Sequence, residues 1–308
     1  MLRGVLSAEG VQVLRERRSP KEERAFQMIE NVNMERMRPK QLLAAIAKCP
    51  VVYVPLAPLE WHGPHLPLNV DAIHATAVCE GVAQIVGGVV YPTTYLGTET
   101  RRSRQELKDL GFQGDEHVVG MDFPANSVPS MYLDEGVYGI VVKEIVRLLK
   151  RTGFQVIMLM SGHGALNHNR VLMRIAAEES DDQCQVVYRL VFSTSNEQDT
   201  GSTPSYDAEK DDDSAAAGVG HASRDETSLA MYLCPDDVDL SELPSMTRTL
   251  HYTDWGIVDG NAFVGRPTKG YVVRPDDDPR KATPEHGFEF VSSNIKIIAD
   301  EVRQLLHR

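Results

Sequence analysis

The stretch LEWHGPHLPLNVD, residues 59–71, gathers imidazole and carboxylate side chains: Glu60, His62, His65 and Asp71. Near a protein interior such groups must be paired with one another or bound to a metal. Two further segments carry the same chemistry. In MLMSGHGALNHN, His163 stands between Gly162 and Gly164 directly after an apolar run, where glycines let a ligand approach the backbone closely. In GVGHASRDETSLA, His221 precedes Glu226, which falls in the first turn of an expected helix. There Asp225 or Thr227 serve equally well as capping residues. His117 and His168 read as polar loop residues.

Each piece has an ordinary alternative. Glu60-x-His62 alone is also a surface loop with a capping histidine, and Asp71 suits the N-cap of a helix. Together, Glu60, His62, Asp71, His163 and Glu226 form a mixed imidazole–carboxylate set. Borderline divalent ions such as Zn, Mn or Fe accept that mixture, whereas thiolate-preferring ions do not. Five protein ligands exceed what one tetrahedral zinc with an open position uses. A pair of ions bridged by one carboxylate fits better, typically about 3.5–4 Å apart. Such a centre acidifies water and polarises a carbonyl, which is hydrolase chemistry.

These residues need a scaffold that brings them together, and the pattern of the chain supplies one. Short β-branched runs at 50–58, 89–96, 154–162 and 184–192 read as strands. They alternate with helical patterns at 71–88, 134–153, 167–180 and 226–234, and a long helix closes the chain. Such alternation predicts a parallel sheet covered on both faces, an α/β sandwich. Ligands of such sheets bind where the strands end. Glu60 and His62 follow the first strand, His163 follows the third, and His221 with Glu226 opens a late helix. Residues 1–38 read as a helical extension and 39–308 as a single domain. The connection 97–133 reads as a possible lid and 194–220 as a mobile acidic loop. Arg101, Arg102 and Arg104 in that connection suit a hydroxylated or acidic ligand. Their alternative is pairing with Glu106, Asp109 and Asp115 on a solvated face.

The 308 residues carry a formal charge of -12 and are 42% hydrophobic and 25% charged. The acidic balance argues against nucleic acid and against an anionic membrane surface. No apolar run is long enough to span a bilayer, and the N-terminal stretch is no signal-peptide core. Cys49, Cys79, Cys184 and Cys234 are widely spaced and read as small core residues, so a cytoplasmic home is expected. A phosphate loop of the form GxxxxGK[ST] is absent, as is an HExxH pair.

The quoted segments resemble the creatininase family of metal-dependent amidohydrolases. LEWHGPHLPLNVD matches its E-x-H-G-x-H-L-P with an aspartate nine residues after the first histidine. SGHGALNHN and GHASRDETS match its GHG turn and its H-A-x-x-x-E-T-S segment. FPANSVP (123–129) is a worn F-P-G-T, and ATPEHG (282–287) resembles its A-T-x-E-x-G tail. The resemblance implies a three-layer α/β/α sandwich around a mostly parallel sheet, assembled as a homo-oligomer, often a hexamer. It implies one or two divalent ions (Zn, Mn or Fe) on Glu60, His62, Asp71, His163 and Glu226, with Asp71 as the bridge. His221 would be the catalytic acid/base, and Trp61, Arg101 and Arg102 would meet a small-molecule substrate. The namesake enzyme has a metal-binding glutamate two residues after the GHG histidine. Here that position is Ala165, which makes Glu226 the candidate replacement. The implied reaction opens a cyclic amide or cleaves a related C–N bond. Two alternatives are ring opening of a polyhydroxylated cyclic ketone and a non-catalytic metal-binding protein of the same fold.

Overall fold

The computed structural model of the chain describes residues 31–192, 220–251, 273 and 275–306. Of the expected extension over 1–38, only residues 31–38 are described, with a 3-10 turn at Met34–Arg36. The acidic stretch 194–220 lies outside the described residues apart from Gly220. In chain order the elements are α1 (Pro39–Lys48), β1 (Val51–Ala57), α2 (Val70–Val86), β2 (Val89–Val90), β3 (Thr94–Tyr95) and α3 (Arg104–Asp109). Then come α4 (Glu135–Thr152), β4 (Val156–Ser161), α5 (Leu166–Glu179), β5 (Gln185–Leu190), α6 (Arg224–Leu233) and α7 (Pro284–Leu306).

All strand pairings are parallel, in the order β2-β1-β4-β5. β4 runs beside β1 from Val51 to Leu56, so β2 and β3 share the other edge, where Val52 meets Val89 and Leu56 meets Thr94. The sequence pattern made 89–96 one strand. Pro92 divides it, because proline has no N–H to give a ladder.

Every position of β1 and β4 is buried, as expected of strands covered on both faces. Val52, Val54, Leu56, Ile157 and Leu159 face one way, onto Tyr138, Val142 and Val146 of α4 and Leu172 and Ile175 of α5. Val51, Tyr53, Met158 and Met160 face the other way, onto Val78 and Val82 of α2 and Ile298 and Val302 of α7. The result is the three-layer α/β/α sandwich. Fully burying one such side chain contributes about 1.5–3 kcal/mol, so the two clusters supply most of what fixes the layers. Helix α4 is delimited at both ends. Asp134 accepts from the Gly136 and Val137 amides, and Gly153 takes the left-handed turn at φ 105°.

Helix α6 packs outside the sandwich on α7 and α2, joining Leu229, Ala230 and Leu233 to Val70, Ala77 and Val291. Gly287 makes that contact possible, since a Cβ there would overlap the Ser228 carbonyl oxygen. The connection 97–133 is packed down: Leu107, Leu110, Val118, Met121 and Phe123 are buried in the same cluster. Its two arms pair through Arg102 N to Val118 O at 2.9 Å and Gly120 N to Thr100 O at 3.1 Å. Cys49, Cys79 and Cys184 are buried, Cys234 is half-buried, and all four are free thiols. Among the described residues no helix is long and apolar enough to cross a membrane.

Candidate metal centre

The C-terminal end of the sheet collects the donors. Glu60 and His62 lie on the turn that leaves β1, which is anchored by Glu60 N donating to Leu68 O at 2.8 Å. Asp71 sits in the first turn of α2. The cap position belongs to Asn69, so the reading of Asp71 as an N-cap does not hold. His163 follows β4 on a turn locked by Ser161, whose Oγ accepts from His163 N and donates to His163 O. A Cβ on Gly162 would overlap the Asp71 carbonyl. What that glycine admits is therefore the backbone of α2, which brings Asp71 against His163. Glu226 is the third residue of α6, and its Oε2 accepts from Ala222 N at 2.5 Å. Ala222 holds a left-handed φ of 50° to aim that amide.

Glu60, His62, Asp71, His163 and Glu226 are all at most 4% exposed. His163 Nδ1 lies 2.9 Å from Glu60 Oε2 and 3.1 Å from Asp71 Oδ2. His62 Nε2 lies 3.1 Å from Asp71 Oδ1 and 3.5 Å from Glu226 Oε2. Asp71 thus turns one oxygen to each histidine. Two donor groups share it, Glu60–Asp71–His163 and His62–Asp71–Glu226, and within each the ligand atoms lie within 4.8 Å of one another.

Three buried carboxylates cannot stay together without compensating charge. In the protein alone that charge falls on the histidines. Burial by itself would lower the His62 pKa, but Asp71 and Glu226 more than reverse this and bring it to about 10. His163 is raised likewise against burial by Glu60 and Asp71. Burial works to raise Asp71, yet the two rings hold it well below the usual carboxylate range. Glu226 is pushed up to about 8, chiefly by burial, which the charge of His62 only partly offsets. Protons on two imidazoles are a weak substitute for a divalent cation, and the donor set of oxygens and ring nitrogens fits such a cation.

His221 joins Glu60 and His62 in a third group of possible donors. Its Nε2 lies 2.6 Å from the Trp61 carbonyl, which can only accept, so that nitrogen carries the hydrogen. Nδ1 keeps the lone pair and faces Glu60 Oε1 at 3.9 Å. Burial first, and the His62 charge second, lower its pKa to about 4, so the ring is neutral at pH 7.

Trp61 is buried, its amide held by Ser130 Oγ at 2.9 Å. Arg101 is exposed, and its backbone pairs with Val119. Arg102 is half-buried, with Nε on the Gly120 carbonyl at 2.7 Å and its guanidinium over the Phe123 ring. His117 is exposed as expected, but His168 is not a loop residue: it is fully buried in α5, against Tyr138. Three residues near the centre were given no role from the sequence. Tyr132 donates to Glu60 Oε1 at 2.6 Å. Glu99 is a half-buried carboxylate raised by burial, with one oxygen accepting from its own neighbour's amide, Thr100 N. His65, quoted in the first motif but given no role, bonds Thr227 Oγ1 at 2.9 Å and is lowered to about 3 by burial. It ties the β1 turn to α6.

Comparison with known proteins addresses the fold and the family. Creatinine amidohydrolase of Pseudomonas putida is 33% identical over 113 residues, which span 37% of this chain and 37% of that protein. A solved creatinine amidohydrolase (creatininase) superposes with a TM-score of 0.58 at 23% identity, covering 89% of this chain and 98% of its own. A manganese form of creatininase gives 0.57 at 23%, and a mutant of the Zn–Zn type 0.57 at 22%, with the same coverage. At these identities the likeness establishes the fold. The creatininase (creatinine amidohydrolase) family model matches residues 35–302, a span holding all five donors and His221, and the chain belongs to the creatininase family.

Proposed function

We propose that the chain is a metal-dependent hydrolase that opens a cyclic amide or cleaves a related C–N bond. The observation that carries this reading is the division of Asp71 between two buried donor groups, one oxygen to each. Solved relatives in manganese and Zn–Zn forms support a divalent cation here, as does the donor chemistry. A cation held by these residues supplies Lewis acidity, acidifying water and polarising the carbonyl under attack.

The chain's own groups do the rest. His221, neutral and fixed in one tautomer by the Trp61 carbonyl, takes the proton of the attacking water at Nδ1 and returns it to the leaving nitrogen. Tyr132 keeps Glu60 in place from the side away from His163. Burial of all six polar groups keeps bulk water out, which strengthens every charge interaction inside. Trp61, Arg101 and Arg102 are proposed to meet the substrate.

The test is His221→Ala. Turnover should fall by about 10²–10⁴-fold with bound metal unchanged; retained turnover removes the acid/base role. Metal-replete protein is assayed against lactams, formamides and keto-cyclitols. Hydrolysis confined to keto-cyclitols would overturn the C–N assignment, and none at all would leave a metal-binding protein.

A further inference from the structure

His163 presents Nδ1 to Glu60 and Asp71, while its other ring nitrogen, Nε2, is buried with no hydrogen-bond partner. A metal-binding histidine as a rule donates from its second nitrogen, and that bond sets its tautomer and orientation. The local backbone does not do this job. His163 lies between two glycines, and Ser161 grips only its main chain. Other buried side-chain atoms without partners lie at the start of α5, among them His168 Nδ1 and Asn169 Oδ1.

The His168 ring meets the His163 ring edge-on, with centroids 5.1 Å apart and planes at 88°. On its other side His168 stacks on Tyr138 at 4.7 Å, with Nε2 3.1 Å from the hydroxyl. Both side chains are fully buried. The surrounding contact between α4 and α5 is apolar, made of Val142, Val171, Leu172 and Ile175. Folding would accept an apolar pair of the same shape there, often at no loss of stability. Packing therefore does not explain a histidine and a tyrosine.

We propose that His168, braced by Tyr138, is the positioning residue that keeps His163 ready for a cation. His168 Nε2–H donates to the Tyr138 hydroxyl, leaving Nδ1 as an acceptor. His163 donates toward it from Nε2 across one water, since the two atoms are not in direct hydrogen-bond contact, and so keeps the Nδ1 lone pair toward Glu60 and Asp71. This rests on the metal reading of the site and adds a residue to it.

Chelator-stripped full-length protein is titrated with zinc and with manganese against a chromophoric competitor, comparing wild type with His168→Leu, His168→Gln and Tyr138→Phe. His168→Leu should weaken binding by roughly 10–100-fold. His168→Gln, whose amide oxygen can still accept, should recover most of the loss. Tyr138→Phe should give a smaller loss and guards against failure of the Leu variant to fold. Nitrogen-15 shifts of His163 in the zinc form should report hydrogen on Nε2 in wild type and mixed tautomers in His168→Leu. Equal affinity in His168→Leu and wild type, or Gln no better than Leu, overturns the proposal. Wild type that binds neither ion defeats the metal reading itself, which the comparison among variants distinguishes.

Discussion

The two donor groups that meet at Asp71 are built differently. Glu60, Asp71 and His163 hang from the ends of β1 and β4 and the start of α2, elements locked together by the sheet and its inner helix. A tyrosine hydroxyl and a serine steady them. His62 and Asp71 belong to the same framework, but their third partner, Glu226, comes from α6 outside the sandwich. Glu226 is steadied by one amide on a left-handed residue. One half of the centre is thus a property of the sheet, and the other depends on docking a distant helix. The charge balance follows: Glu60 is held low against burial by the charged His163, whereas Glu226 is pushed up to about 8.

The largest expected effect removes the shared residue. Asp71→Asn should release metal from both groups, because neither keeps two carboxylates. Losing several kcal/mol of Lewis-acid stabilisation corresponds to at least about 10³-fold in turnover at 1.36 kcal/mol per decade. Elemental analysis beside kinetics checks it. A protein that keeps one full equivalent of metal would show that Asp71 does not bridge.

Next comes a change that separates the halves. Glu226→Gln should halve the bound metal and leave the Glu60 group loaded, while Glu60→Gln should do the reverse. Glu226→Gln should also cost less in thermal stability of the stripped protein, because it removes a carboxylate that is already half-neutral near pH 8. Identical metal loss in both variants would erase the distinction.

The same contrast separates what the sequence revealed from what it hid. Strand runs at 50–58 and 154–162 and the helix patterns at 71–88 and 134–153 lie within a few residues of β1, β4, α2 and α4. Their periodicity is imposed by the layers they pack between, so it is written locally. The donors were legible because each follows such an element directly. Tyr132 and Glu99 were not, since the 97–133 connection has no period and its fold is set by contacts between its two arms. His168 was misread for a related reason. Its environment is Tyr138, thirty positions earlier, and nothing near either residue in the chain reports the pairing.

A smaller effect concerns pH. Without a cation, His62 at about 10 holds its proton through the neutral range. A histidine raised above its unfolded value of about 6.5 stabilises the fold fully below that pH and loses the contribution as pH rises through the folded value. Glu226 at about 8, raised from a normal carboxylate, tilts the same way. His65 and His221, lowered by burial, run the other way but only up to about pH 7, so the stripped protein should lose stability from pH 7 to 8. Cation binding runs oppositely, because it expels protons, and should tighten by up to about tenfold per pH unit for each proton displaced. Thermal melts with and without chelator at pH 6, 7 and 8 should diverge. A constant gap would mean that His62 is already neutral.

The smallest expected effect tests how independent the halves are. The Tyr132 phenol, raised well above its ordinary value mainly by burial, stays protonated and donates to Glu60 Oε1 at all ordinary pH. Tyr132→Phe removes only that donor. A hydrogen bond to a charged group contributes about 1.5–3 kcal/mol. His221 cannot replace it, because the ring atom 3.9 Å from the same oxygen is Nδ1, which carries a lone pair and no hydrogen. A loss of about tenfold in affinity is expected, confined to the ion on the Glu60 side. The equivalent support of Glu226 is a backbone amide and has no such side-chain substitution. If Tyr132→Phe weakens both ions equally, Asp71 couples the groups so tightly that the sheet-borne half and the helix-borne half act as one unit.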